Sequence, residues 1–197
     1  MKIMKKKSVW IIVGIVLIIA LWAFGAYNGM VNKQEAATTA LADVQSTYQR
    51  RADLLPNLTK VVKAYAKHEN STFKEVAEAR SKASQITLDA GSLNPEKLKR
   101  FEAAQGELSA ALGKLMMVSE RYPDLKASEN FKDLQIQLEG TENRINEARQ
   151  KYNEAVQDYN VTIRRMPNVL VSGTFGFDKM VKFEAAPGAE KAPDLNI

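Results

Sequence analysis

One histidine, four carboxylates and three asparagines are the side chains here that could do chemistry, and their spacing decides how far to credit them. His68 is the only histidine. A zinc site or an activated nucleophile needs partners at defined spacing. Only Glu69 adjoins His68, and on a helix it points elsewhere, so His68 reads as a solvated residue near a helix end. Glu69, Glu120, Glu139 and Glu142 are carboxylates that a helical bundle can turn inward. Di-iron bundles use Glu-x-x-His pairs, and this sequence has none. Cysteine is absent, which removes disulfides, thiolate ligands, a thiol nucleophile and a lipid-bearing thiol. The sequence therefore predicts no catalytic residue, no metal and no cofactor.

Arg51 is more telling, because it occupies a position of an apolar seam. A guanidinium buried without a partner is prohibitive, so Arg51 must meet a carboxylate or snorkel to water. Glu142 is the preferred partner and Glu120 the reserve. Asn143, Asn153 and Asn160 flank the seam of the last helix, and Tyr152-Asn153 repeats seven residues later as Tyr159-Asn160. Residues seven apart return to the same helix face. Arg51, Asp53, Glu120, Glu142, Asn143, Asn153 and Asn160 are thus expected to form a polar network that sets helix register, a well-attested role for polar groups at seams. The competing reading of the same residues is a ligand-binding groove.

The elements that position them keep a coiled-coil rhythm, with spacings of three and four. One stretch runs Leu41, Val44, Tyr48, Arg51, Leu55, Leu58, Val62 and Tyr65; another runs Leu98, Phe101, Gln105, Leu108, Leu112, Leu115, Ser119 and Tyr122. The last runs from Phe131 through Ile145, Tyr152 and Tyr159 to Ile163, with one extra spacing of four that locally relaxes a supercoil. Asn94-Pro95 reads as an N-cap followed by proline in the first turn. Tyr122-Pro123 and Met166-Pro167 end the helices before them. Thr72 to Glu75 has the form of a capping box, Gly91 closes the helix before it, and Pro56 kinks the first helix without ending it. The predicted helices are 29–66, 72–88, 95–121 and 128–165, with an unbroken helix over 29–88 as the alternative.

From Ser8 to Asn32 no residue is charged. About 20 apolar residues suffice to cross the hydrocarbon layer as a helix. Trp10, Trp22 and Tyr27 stand near its ends, where such rings prefer the headgroup level. A cleaved signal peptide would share the lysine-rich start but have a shorter apolar core, of about 7–15 residues. An uncleaved anchor is the expectation. Lys2, Lys5, Lys6 and Lys7 precede the run, so the positive-inside bias puts the N-terminus in the cytoplasm and the folded domain outside. Gly25 and Gly29 form a G-x-x-x-G that could pack two such helices, although the motif is short.

The formal net charge is +5, from 28 Lys and Arg against 23 Asp and Glu. Without the four N-terminal lysines, 24 basic residues face 23 acidic ones. A nucleic-acid binder carries its positive charge on the folded domain, so nucleic acid is excluded as the expected partner.

Taken together, these residues resemble the LemA family. The stretches that carry the resemblance are Tyr27-Asn28, Arg50 to Leu58, Ala66 to Glu69, Ala79-Arg80, Glu120 to Lys126, Thr141 to Ile145, Ala148 to Asn153 and Tyr159-Asn160. It covers Tyr27 to about Glu184. It implies a membrane-anchored antiparallel four-helix bundle, and brings neither a mechanism nor catalytic residues.

The resulting expectation is an all-α protein of a bacterial plasma membrane. Residues 1–7 form a basic cytoplasmic end, 8–28 the membrane span, 29–184 the up-and-down bundle and 185–197 a loose tail. Val169, Val171, Gly173, Phe175 and Phe177 alternate as an extended strand or strap would. Helices running alternately out and back return Pro167 to about 14 Å from the starting level. The segment Val169–Phe183 is then expected beside Tyr27, as a strap on the base of the bundle, with contact to lipid as the alternative. The expected function is a non-catalytic scaffold acting through protein contacts, with the bilayer, an unidentified protein and a second copy of the chain as candidate partners. The alternative is a protein that oligomerises on the bilayer and remodels it.

Overall fold

The computed structural model of the chain describes residues 2–184. The loose tail expected at 185–197 falls outside them. Helix α1 (Lys2–Tyr65) carries the apolar run and continues as the first bundle helix, through Pro56. After a turn at residues 66–69 come α2 (Asn70–Gln85), α3 (Pro95–Arg121), the short α4 (Pro123–Ala127), α5 (Glu129–Arg164) and α6 (Asn168–Phe175). No strand occurs among the described residues. The break after Tyr65 rules out the unbroken 29–88 helix.

Periodicity located the buried face closely. Leu41, Val44, Tyr48, Arg51, Leu55, Leu58 and Val62 are all buried along α1, as are Leu98, Phe101, Gln105, Leu108, Leu112, Leu115 and Ser119 along α3. Two seam positions differ. Tyr65 is 45% exposed and Ala66 takes its place in the core, because α1 ends there and the chain turns. Tyr122 is only half-buried, and its hydroxyl donates to Glu69 at 3.3 Å.

Two boundaries moved for identifiable reasons. The capping box at Thr72 is not used: the Phe73 N–H donates to the Glu69 carbonyl, so α2 starts two residues earlier. Glu69 makes no cap bond, since its carboxylate receives Arg121 at 2.8 Å. At the other end α2 stops at Gln85, short of the predicted 88. The Leu88 N–H donates to Oε1 of Gln45 at 3.1 Å and the Leu88 side chain is buried against α1, which draws the chain out of the helix. Asn94 caps α3 as expected, accepting from the Lys97 N–H at 2.8 Å, a bond typically worth about 1 kcal/mol.

The core falls into three levels. Farthest from the apolar span, Leu55, Leu58, Val62, Val76, Leu108, Leu115 and Phe131 join α1, α2, α3 and α5. At mid-height Leu41, Val44, Tyr48, Phe101, Ile145, Tyr152 and Val156 pack with Leu88 and Phe183, and the Tyr48 and Phe101 rings meet edge to face at 4.9 Å. Nearest the span, Met30, Tyr159, Ile163 and Val171 form a small cluster against Ala23 and Ala26.

The C-terminal segment departs from a simple extended strand. Residues 168–175 form α6, ended by Gly176 at φ 72°, a left-handed conformation that glycine adopts without strain. Alternation of small and apolar residues fits either state over so short a run. Only residues 177–184 form a non-helical strap, laid along α5. Tyr27 meets Phe175 at 5.1 Å and Phe177 at 5.4 Å between ring centroids, as the four-helix path requires.

Candidate functional site

Two polar devices stand out within this frame. The first is centred on Arg51, which is only 2% exposed. Its Nη1 donates to Oε2 of Glu142 on α5 at 3.0 Å and to Oγ of Ser109 on α3 at 3.1 Å. Its Nη2 donates to Oε1 and the carbonyl of Gln105 at 2.6 and 3.3 Å. The Tyr48 ring lies 5.2 Å from the guanidinium carbon. Arg51 therefore ties α1 to α3 and α5 at one height. The pair is lopsided: the Glu142 side chain is 52% exposed and keeps much of its hydration, while the arginine has lost nearly all of its own. Nε of Arg51 is buried without a partner.

The second device is the repeated Tyr-Asn pair on α5. Asn153 and Asn160 each use the amide nitrogen as donor and the amide oxygen as acceptor to the strap backbone. Nδ2 of Asn153 donates to the Phe183 carbonyl at 2.8 Å, and its Oδ1 accepts from the Phe183 N–H at 2.9 Å. Asn160 does the same at Met180, at 2.8 and 2.9 Å. The tyrosines add single bonds, Tyr152 Oη to the Val181 carbonyl at 2.7 Å and Tyr159 Oη to that of Asp178 at 3.0 Å. The register follows from chain geometry. Seven residues of helix rise about 10.5 Å, and three residues of extended chain span about 10 Å. Asparagines seven apart on α5 therefore meet strap residues three apart. Burial raises the Tyr152 phenol to about 12. Arg149 closes the strap's end, donating to Glu102 at 2.8 Å and to the Glu184 carbonyl at 3.0 Å, with the Phe183 ring 4.8 Å away. Glu102 is nevertheless raised above the ordinary carboxylate range, because desolvation outweighs the Arg149 charge.

The residues proposed as one network are thus split. Arg51 and Glu142 come together, and Asn153 and Asn160 form the separate clamp. Glu120 pairs with Lys126 at 2.6 Å on the surface, so it is no reserve partner for Arg51. Asp53 is exposed, accepting from Gln49 at 3.0 Å and lying 3.9 Å from Arg80. Asn143 is exposed, because its step of 100° from Glu142 carries it off the seam. Glu139 receives Gln135 at 3.0 Å and His68 is exposed. Gly25 and Gly29 face open space, with nothing within 4 Å of an added Cβ. Gln105, Ser109 and Arg149 are partners that the sequence pattern does not assign. Gln105 carries a readable signal, as a polar residue at a buried seam position. Among the described residues no three His, Cys, Asp or Glu converge as metal ligands.

None of the apolar run at the start of α1 is buried, unlike a core helix of a soluble protein, and it continues directly into the bundle. Anchor, bundle and strap define a membrane-associated helical protein. The chain belongs to the LemA family, whose family model matches residues 40–196. It is 25% identical over 185 residues to magnetosome protein MamQ of Magnetospirillum gryphiswaldense, a match covering 83% of this chain and 66% of that protein. MamQ 2 of Paramagnetospirillum magneticum is 26% identical over the same shares. Protein LemA of Metamycoplasma hominis is 28% identical over 121 residues, 61% of this chain and 52% of that protein. The chain thus spans about two thirds of these MamQ proteins and about half of the LemA protein.

Proposed function

We propose that the protein is a non-catalytic, membrane-anchored scaffold that presents helix faces to a protein partner. The observation that carries this reading is the continuity of α1. One helix serves as both apolar span and bundle member, so the far end of the bundle is held at a fixed distance from the bilayer. At that far end Tyr65, Met117 and Ile136 are 45, 63 and 66% exposed, large apolar side chains suited to contact. Photo-crosslinking residues placed at Met117 and Ile136 in intact cells, followed by mass spectrometry, test it. Crosslinks to a recurrent protein are the expected result, and capture of lipid or nothing at both sites would defeat the scaffold reading.

The lysine-rich N-terminus supports a cytoplasmic start and an external bundle, since four lysines precede the span and Lys33 alone closely follows it. Protease added to spheroplasts is then expected to digest the bundle, and complete protection until lysis would reverse the topology. Ala23 and Ala26 pack against the bundle's basal cluster, which supports an anchor retained in the folded protein. A second reading, oligomerisation that organises the bilayer, is favoured by the open Gly25–Gly29 face of the span. Polymers or deformed vesicles on reconstitution distinguish it from an adaptor.

A further inference from the structure

Helix α6 and the turn before it have an apolar outer face that no other part of the described chain covers. Met166, Leu170 and Phe175 are 69, 64 and 61% exposed, with Val169 at 39%. The inner face is anchored: Val171 packs with Met30, Tyr159 and Ile163, and Ala23 and Ala26 lie against the same cluster. We propose that α6 is a second membrane contact, lying in the headgroup–acyl boundary of the bilayer that α1 crosses, with Arg164 and Arg165 set against anionic lipid phosphates.

Three observations carry this assignment. The first is level. Ala23, Ala26 and Tyr27 belong to the charge-free run of α1, and they are the residues that α6 and the start of the strap touch. Whatever surrounds the end of that run also meets the outer face of α6. An interfacial helix typically buries its apolar face about 5–10 Å into the boundary.

The second is the treatment of polar groups. Ser172 donates to the Ile163 carbonyl at 2.8 Å, Thr174 to that of Leu170 at 2.8 Å, and Asn168 to that of Thr162 at 3.1 Å. Each polar side chain of α6 thus finds an acceptor inside the protein, the condition for a segment that meets lipid.

The third is charge. From residue 159 to 177 the sequence has no acid, while Arg164 and Arg165 are exposed. Anionic lipid complements that pair.

The assignment depends on the membrane span alone, and a protein partner for the far end is a separate matter. The chain has no cysteine, so single Leu170→Cys, Phe24→Cys and Met117→Cys variants of the full-length protein can each carry one environment-sensitive fluorophore. All three sites are exposed, so labelling disturbs no core. Each is reconstituted in phosphatidylcholine–phosphatidylglycerol vesicles containing nitroxide lipids. Quenching at Phe24 establishes that the span is in the bilayer. The expected result is quenching at Leu170 several-fold above that at Met117, stronger with the nitroxide near the headgroup than near the chain end. Quenching at Leu170 no greater than at Met117, with Phe24 quenched, would overturn the proposal. A water-like spectrum would then mean a solvated face, and an apolar one a face covered by a second copy. Replacing Arg164 and Arg165 by Gln is expected to lower Leu170 quenching in the anionic vesicles and leave it unchanged in pure phosphatidylcholine. Equal quenching in both would overturn the role of the arginines.

Discussion

At mid-height of the bundle a buried guanidinium reaches a half-exposed carboxylate, while alongside and below it two neutral asparagines hold a strap by its backbone. Both devices put polar groups at a helix seam, yet their costs differ. The guanidinium had to be stripped of water, and it recovers that loss through Gln105, Ser109 and Glu142 and the Tyr48 ring, with one N–H still unmet. The asparagine amides carry no charge, and each matches one backbone N–H and one carbonyl, leaving neither partner short. Charge joins three helices at a single point, whereas neutral amides repeat along a line. The bundle's register therefore depends on Arg51, and the strap's register on the spacing of the Tyr-Asn pairs.

The largest expected effect comes from breaking the charged device. Arg51→Ala strands the Gln105 side chain and opens a void beneath Tyr48. Truncating a large buried side chain to alanine costs about 2–5 kcal/mol, and the half-exposed Glu142 left behind can hydrate. Arg51→Met should cost clearly less, since the methionine refills the space and Glu142 can hydrate fully. Denaturant unfolding of the detergent-solubilised protein measures both. Equal losses would mean that the missing polar contacts, not packing volume, dominate the site.

Asn160→Ala tests the neutral device. It leaves the Met180 N–H and carbonyl without their partner, at about 1–3 kcal/mol for each group kept from water. The strap can lift to hydrate them, so the net loss should be nearer about 2 kcal/mol and confined to one region. Hydrogen exchange should quicken at Met180 and Phe183 and stay unchanged in α2 and α3. Uniform quickening throughout the bundle would make the clamp part of the global core and erase the contrast with Arg51.

How much of this could be read beforehand follows from the range of the forces involved. Heptad spacing put Arg51 at a seam position, and the structure buries it there, because periodicity on one helix is a local property. The third helix was bounded correctly by Asn94-Pro95 and Tyr122-Pro123, whose effects are also local. The end of α2 is not a local property, because Gln45, some forty residues away, takes the Leu88 N–H. The Tyr-Asn repeat was visible, but its partner was not: an asparagine does not announce whether it will meet a helix or a strap. Asp53, Glu120 and Asn143 are polar residues close to a seam, and a short rotation about the helix axis takes each to the surface.

Tyr152→Phe sharpens the comparison through pH. The phenol is raised to about 12 by burial, from an ordinary value of 10. Its protonated form is favoured in the folded state, so this contribution is fully present below pH 10 and is lost as pH rises toward 12. Removing the hydroxyl should cost about 1 kcal/mol at neutral pH, where the Val181 carbonyl loses its donor. Above pH 10 the deficit should shrink, and the variant's stability should fall less steeply than that of the parent. Tyr48 and Tyr159 are raised in the same direction, so part of the alkaline loss remains. Parallel curves across that range would show that Tyr152 ionises without disturbing the strap.

The smallest expected effect is at Asn143, and it bounds the comparison from below. Asn143 adjoins Glu142, yet the 100° step along the helix turns it away from Arg51 and into solvent. Substitutions at exposed sites without such partners stay within about 0.5 kcal/mol. Asn143→Ala should therefore unfold with the parent at every denaturant concentration, while Glu142→Ala, one residue earlier, leaves a buried guanidinium without its countercharge and unfolds earlier. The pair of variants separates the contact from the neighbourhood, since both truncate a polar side chain on the same turn of α5. A loss at Asn143 comparable to that at Glu142 would place Asn143 against something outside the single chain. The exposed side of α5 would then be an interface, and the network would extend beyond the bundle to a second copy or a partner.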